Sequence, residues 1–368
     1  MENLLMKKWI TDIVQGRTFD ATRQAKLDIA RIGQATGYQV ANIFRYNDVG
    51  ESDEAVTSRI DGITAAVSPG DFIVYQYPSL NSGRFEMSFV DQMHRRRVKM
   101  VCLIHDSETL RNQKMPTWID EIGFFNKCDV LIVHNRRMAE QLKKDGVTTP
   151  MVCQYLLDYL DDNHDDDRYY TKPEEFKRGV VLAGNILKSR YLADWSLKTP
   201  ITVFGVTDDE LDKKLAANPQ VDFRGQLWRW DLIQEMPRTF GLAWDSDTPS
   251  YRYNDYTHYN HPHKVSMYLS HGLPVIVWRQ AAVADIIVQN HLGIAIDSLD
   301  ELDDVVQNIS DDELADMIDH VNEFGKLIRD GWFTRQALQA AEQMLVSPGL
   351  TIPTDLRIDQ DHPFSTKD

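Results

Sequence analysis

Short apolar runs alternate with amphipathic stretches along nearly the whole chain. Runs at residues 39–44, 71–76, 99–105 and 129–134 read as strands. The same rhythm resumes after residue 170, at 179–183, 201–204, 221–223, 241–244, 274–278 and 293–296. Helical patterns lie between them, such as 21–37 and 138–144. Short strands alternating with helices predict parallel sheets built from βαβ units. The polar stretch 158–172 divides the two sets, so an α/β chain of two doubly wound domains is expected. The final helical pattern, 311–346, is long enough to pack back across the domain junction, and the tail from Pro353 is expected to be loose. No short-period repeat is present. In such sheets ligands lie outside the carboxyl ends of the strands, so a cleft between two facing sheets is the expected active site.

Residues 259–278 carry the most chemistry. Asn260, His261, His263 and Lys264 crowd around Pro262, whose fixed φ suits the first turn of a helix. Val265, Met267, Tyr268 and Leu269 follow at near-helical spacing, Gly272 provides the stop, and 273–278 form a short buried strand. Polar and cationic groups therefore stand where a helix N-terminus exposes unpaired amides, an arrangement suited to phosphate or pyrophosphate. The plainer alternative is a surface helix with a few polar residues in front of it.

The chain's 368 residues exceed one compact core, which supports two domains. With 42% hydrophobic and 26% charged residues it has ordinary globular composition. Lys+Arg 40 against Asp+Glu 56 gives −16, which argues against a nucleic-acid partner. A small anion needs only one or two cations in a pocket. The acidic group Asp158, Asp161, Asp162 and 165–167 reads as a solvated connector rather than a metal site. Cys102, Cys128 and Cys153 are odd in number and lack metal-ligand spacing, and Cys102 and Cys128, beside apolar runs, read as small core residues. No apolar run approaches the length of a membrane span, and no lysine-led apolar leader is present, so a soluble cytoplasmic protein is expected.

Residues after the candidate strands narrow the chemistry. Gly184, Asn185, Lys188 and Arg190 follow 179–183; the glycine admits a ligand to the backbone and the cations reach phosphate oxygens. Neither a dinucleotide fingerprint nor a P-loop is present. Phe204 and Gly205 end the next strand, and Phe223, Arg224 and Gly225 the one after, edges that can hold a flat base and its ribose. For Gly205 and Gly225 an ordinary turn glycine is the favoured reading. Asp245-Ser-Asp247 superficially supplies the D-x-D that holds a divalent metal on a nucleotide diphosphate. Lys264 and a helix N-terminus neutralise a diphosphate without metal, so no metal is expected. His105 and Asp106 end a first-domain strand and are candidate bases, with Ser107 as the cap of the next helix. The loop 77–84 and residues 18–23 are further candidates for contact with a substrate.

The segment from Tyr259 to Leu269, the run from Gly272 to Trp278, Gly184-Asn-Ile-Leu-Lys-Ser-Arg and Ile104-His-Asp-Ser-Glu-Thr-Leu-Arg resemble a known glycosyltransferase family. Its members add the second sugar to serine-rich-repeat adhesins in the accessory secretion system of Gram-positive bacteria, of the lactobacillus and streptococcus type. The resemblance extends over roughly residues 18–345. It implies a GT-B fold, with residues 1–160 on the acceptor side, 173–330 binding the UDP-sugar, a helix at 331–350 packing back on the first domain, and a tail at 351–368. It also implies a UDP-glucose or UDP-GlcNAc donor, a GlcNAc-modified adhesin as acceptor, and homo-oligomers, tetramers by analogy. The family's UDP-contacting Asn, Lys and Arg map onto Asn260, Lys264 and Arg190, with Tyr259 and His263 beside them. An aromatic contact to the nucleotide maps onto Phe223, where the family usually has Tyr, and a threonine contact onto Thr18 or Thr22, although the pattern from Ala21 to Lys26 departs from the family's small-residue-rich version.

Transfer of glucose or GlcNAc is therefore the main expectation. A non-catalytic GT-B-like module that holds the adhesin is the alternative, and a metal-dependent enzyme using Asp245 and Asp247 ranks last. Donor sugar, linkage, stereochemical outcome and the identity of the base stay open at this point.

Overall fold

The computed structural model describes residues 6–15, 21–45, 47–111, 118–160, 169–247 and 252–347, with the backbone alone at residues 21 and 22. They form two compact units. One runs to Asp158 and resumes at Gly331; the other runs from Tyr159 to Asp330.

The first unit contains β1 (Lys8–Val14), α1 (Ala21–Ala35), β2 (Gln39–Phe44), α2 (Asp53–Ile63), β3 (Phe72–Tyr77), α3 (Gly83–Arg95) and β4 (Lys99–Ile104). It continues with α4 (Glu108–Arg111), α5 (Glu121–Lys127), β5 (Val130–Val133), α6 (Arg136–Lys144) and β6 (Met151–Cys153). Its strands form a parallel sheet in the order β2-β1-β3-β4-β5-β6. The order reverses beside β1. Ile10, Phe72, Val74, Val101, Leu103 and Ile132 build the core, each such side chain contributing about 1.5–3 kcal/mol by leaving water.

The second unit contains β7 (Val180–Asn185), β8 (Ile201–Val206), α7 (Asp209–Ala217), β9 (Val221–Phe223), α8 (Arg229–Glu235) and β10 (Phe240–Ala243). After these come α9 (Tyr253–Tyr256), α10 (His263–Ser270), β11 (Val275–Trp278), α11 (Ala284–Gln289), β12 (Gly293–Ile296), α12 (Leu302–Asn308) and α13 (Asp311–Arg329). Its parallel sheet has the order β12-β11-β10-β7-β8-β9. The direction of winding therefore switches between β7 and β10, the place where a doubly wound sheet opens a ligand crevice at its carboxyl edge.

The chain departs from its hydrophobic pattern in four places. Two strands of the first sheet, β1 and β6, are not apparent as apolar runs. In β1 the run is broken by Thr11 and Asp12, both buried with partners from neighbouring elements: Thr11 Oγ1 accepts from the Gln76 amide of β3 at 2.9 Å and Asp12 takes Arg23 of α1 at 2.6 Å. The final helical pattern is two helices rather than one. It breaks at Gly331, which has φ 73° and leads into α14 (Trp332–Val346), part of the first unit. Asp158 is buried rather than solvated. Its carboxylate accepts from the Thr334 and Phe333 amides at 2.6 and 3.3 Å and so caps α14 from far away in sequence. Finally, α10 begins at His263, with Pro262 just outside it as N-cap. The three cysteines are free and buried. No described helix is long and apolar enough to cross a membrane.

Candidate functional site

The site begins with a split in the second sheet. β7 and β10 share register only at Val180 with Phe240 and Val181 with Gly241. Beyond that point β7 stays in register with β8 alone, through Ala183 with Phe204, Gly184 with Gly205 and Asn185 with Val206. Gly184 and Gly205 have φ of 146° and 149°, a region that side chains resist. A Cβ on Gly205 would stand 1.8 Å from the Gly184 carbonyl oxygen, whereas one on Gly184 would meet only Lys264 Cε at 4.0 Å. The edge is bare backbone with one lysine beside it.

Lys264 lies in the first turn of α10, which has no side-chain cap. Its Nζ donates to Asp245 Oδ1 at 2.6 Å just past β10, and both side chains are mostly buried, at 15% and 13% exposure. A cation, the open amides of a helix N-terminus and a bare strand edge thus meet at the switch point, the combination that binds a diphosphate. Burial first, then the Asp245 carboxylate, pushes the neighbouring Tyr191 phenol well above its ordinary range.

The two loops leaving β7 and β10 are laced together. The Lys188 carbonyl accepts from Ser246 N at 2.8 Å and Ser246 Oγ at 2.9 Å. Ser189 Oγ and the Tyr191 hydroxyl both donate to the Trp244 carbonyl at 3.1 Å. Asn185 Oδ1 accepts from the Leu187 amide at 3.1 Å and so starts the 3₁₀ turn Ile186–Lys188. The Lys188 ammonium rests 4.4 Å from the centre of the Tyr253 ring. Arg190 is half exposed and pairs with Asp208, the N-cap of α7 just beyond β8. The Asn260 backbone amide donates to the Tyr256 carbonyl at 3.1 Å, while its side-chain Oδ1 is enclosed with no partner among the described residues. An enclosed acceptor without a donor is costly unless a ligand supplies one. The His263 ring lies 5.2 Å from that of Tyr159, and Tyr259 lies 6.2 Å from His258.

The two aromatic candidates differ in exposure. Phe204 is 1% exposed, with the Arg224 guanidinium 5.8 Å from the centre of its ring. Phe223 is only partly buried at the end of β9. Asp245 and Asp247 do not converge. Asp247 caps α9 by accepting from the Asn254 and Asp255 amides at 2.8 and 3.3 Å, while Asp245 holds Lys264. Among the described residues no group of three or more His, Cys, Asp or Glu is placed to hold a metal ion.

In the first unit, His105 and Asp106 follow β4. His105 is buried, with Nε2 2.8 Å from Gln76 Oε1, and Asp106 lies 3.6 Å from Arg111. Near them Lys26 is fully buried without a hydrogen-bond partner for Nζ among the described residues; burial pulls it down to about 8 against the opposing charge of Asp106. Ser107 caps α4 weakly, accepting from Leu110 N at 3.4 Å, because Glu121 takes the first amides instead. Glu121 accepts from Glu108 N at 2.9 Å, Thr109 N at 2.7 Å and the Tyr77 hydroxyl at 2.8 Å. No local pattern could have pointed to a cap that far along the chain. Thr18 lies outside the described residues, as does the side chain of Thr22.

Comparison with known proteins decides the family. The N-terminal domain of glucosyltransferase 3-like proteins matches residues 7–156, and their C-terminal domain matches residues 180–341. The chain belongs to the glucosyltransferase 3-like family. Glucosyltransferase 3 of Streptococcus gordonii is 28% identical over 330 residues, covering 88% of this chain and 94% of the relative. Beta-1,6-galactofuranosyltransferase WbbI of Escherichia coli (strain K12) is 29% identical over 272 residues, covering 73% and 78%. Among solved structures, HepE (Alr3699) of Anabaena, in complex with UDP and glucose, has a TM-score of 0.58 at 13% identity, covering 93% of this chain and 100% of that one. That likeness is one of fold, the GT-B fold of two Rossmann-like units. As a glucosyltransferase 3-like protein the chain is a glycosyltransferase, and the whole switch-point assembly from Gly184 to Tyr268 falls within the family's C-terminal domain.

Proposed function

We propose that this glycosyltransferase moves glucose or GlcNAc from a UDP-sugar to a GlcNAc already carried by a serine-rich-repeat adhesin, in the cytoplasm before export. The carrying observation is Lys264, on the uncapped start of α10, beside the bare Gly184 edge at the switch point of the second unit.

In this reading the donor's diphosphate meets Lys264 and the first amides of α10. Charge grows on the leaving diphosphate as the glycosidic bond breaks, so these groups help most in the transition state. Lys264 is already oriented by Asp245 and exchanges a share of that contact for phosphate oxygen when donor binds. Arg190 adds a second cation once it swings from Asp208. Asn260 Oδ1 accepts from a donor hydroxyl. His105 or Asp106 takes the proton of the acceptor hydroxyl. No metal takes part, and the working assembly is a homotetramer.

The resemblance to adhesin-modifying enzymes supports the acceptor, and the glucosyltransferase 3 relative supports a glucosyl donor. The galactofuranosyltransferase relative adds a galactofuranosyl donor to those worth trying, since one pocket side chain can decide between sugars. The test is incubation with a panel of UDP-sugars and a GlcNAc-peptide, read by mass. A single-sugar increment with one preferred donor is expected. Peptide binding without an increment on any donor supports the holding module instead.

A further inference from the structure

Lys264 and Tyr268 stand four residues apart on α10 and so share one face of the helix. Tyr268 is fully buried, and its ring lies across β10 at Gly241. A Cβ on Gly241 would sit 2.3 Å from Tyr268 Cγ, so only glycine lets the ring pass. The Tyr268 hydroxyl accepts from the Ala183 amide of β7 at 2.8 Å and lies 3.5 Å from the Leu242 carbonyl of β10. Ala183 is two residues past the last register pair between β7 and β10. Its amide thus meets a side chain where the diverging strand no longer offers a carbonyl. Burial pushes the phenol above its ordinary range, the Ala183 amide opposes this and the Asp245 charge adds to it, so the hydroxyl keeps its proton.

We propose that Tyr268 is a positioning residue for the donor. By tying α10 to both lips of the split sheet it sets how deep the helix sits, and hence where Lys264 Nζ stands beside Gly184. The ring keeps β7 and β10 apart, and the hydroxyl fixes the helix in the gap. One turn nearer the crevice mouth, Lys264 inherits that placement. The inference rests on the reading that Lys264 meets the donor's diphosphate.

The experiment is UDP titration by calorimetry, well below the unfolding temperature, on the full chain, Tyr268→Phe, Lys264→Met and the double variant, with KM for a GlcNAc-peptide measured alongside. Tyr268→Phe keeps the ring and the Gly241 contact and removes only the tie. It is expected to weaken UDP binding about tenfold with acceptor KM unchanged, the scale of one well-placed hydrogen bond. In the Lys264→Met background the same change should cost under about twofold, because the group it positions is gone. Unchanged UDP affinity in Tyr268→Phe, or full additivity with Lys264→Met, overturns the positioning role. UDP affinity that survives Lys264→Met overturns the donor-site reading itself, which separates the two failures. Should Tyr268→Phe not fold, Gly241→Ala displaces the ring while leaving the hydroxyl; weakened UDP binding with unchanged acceptor KM supports the proposal, and unchanged UDP binding contradicts it.

Discussion

Lys264 donates to Asp245 at 2.6 Å in a largely buried pair, so a cation beside the Gly184 edge is held by a carboxylate from the neighbouring strand end. That carboxylate orients the ammonium and also sets a negative charge near the place proposed for the diphosphate. Asp245→Asn keeps the shape and an acceptor for Lys264 while removing the charge. The expected result is UDP binding tightened about threefold or more, since like charges in a partly buried site repel by over 1 kcal/mol. Were Asp245 a metal ligand, the same variant would weaken UDP binding and a chelator would abolish transfer. Transfer is expected to persist in EDTA.

Gly205 allows no side chain. The clash with the Gly184 carbonyl and the positive φ act together, so Gly205→Ala must part β7 from β8 at their carboxyl ends. A loss of about 2 kcal/mol or more is expected in urea unfolding, on the scale of strained backbone and overpacking. Stability within a few tenths of the parent would contradict the close approach.

His271 ties acid sensitivity to the far end of α10. Burial first, and then the charges of Arg229, Arg238 and Arg329, pull its imidazole down to about 3, against the Met267 carbonyl that favours the proton. The unfolded chain, with an ordinary histidine near 6.5, binds the proton first. The stability this group contributes is therefore present above that value and lost as pH falls toward the folded one. The slope is at most about 1.4 kcal/mol per pH unit. Urea unfolding of the parent and His271→Asn between neutral pH and pH about 5 should show a shallower fall in the variant; parallel curves would contradict the assignment.

Much of this molecule can be read from its hydrophobic rhythm, because parallel strands buried on both faces are apolar without interruption. β1 escapes that signal, since Thr11 and Asp12 are satisfied by Gln76 of β3 and Arg23 of α1, partners that only the folded chain supplies. Lys264 and Gly184 are recognisable as a phosphate-friendly pair because each stands next to a clear element boundary. The Asp245 pairing, the Glu121 cap and the Asp158 cap are long-range contacts, and no local spacing encodes them. The burial of Phe204 is illegible for a related reason: strand position places a residue at an edge but does not say how far its ring is covered.

The central claim is that Lys264 meets the donor's diphosphate. Calorimetric titration of UDP into the folded parent and into Lys264→Ala tests it most directly. Saturable binding to the parent is expected, with a loss of about tenfold to a hundredfold in the variant, the scale of a charge-assisted contact removed from a partly buried site. Equal UDP affinity in a folded Lys264→Ala protein would contradict it.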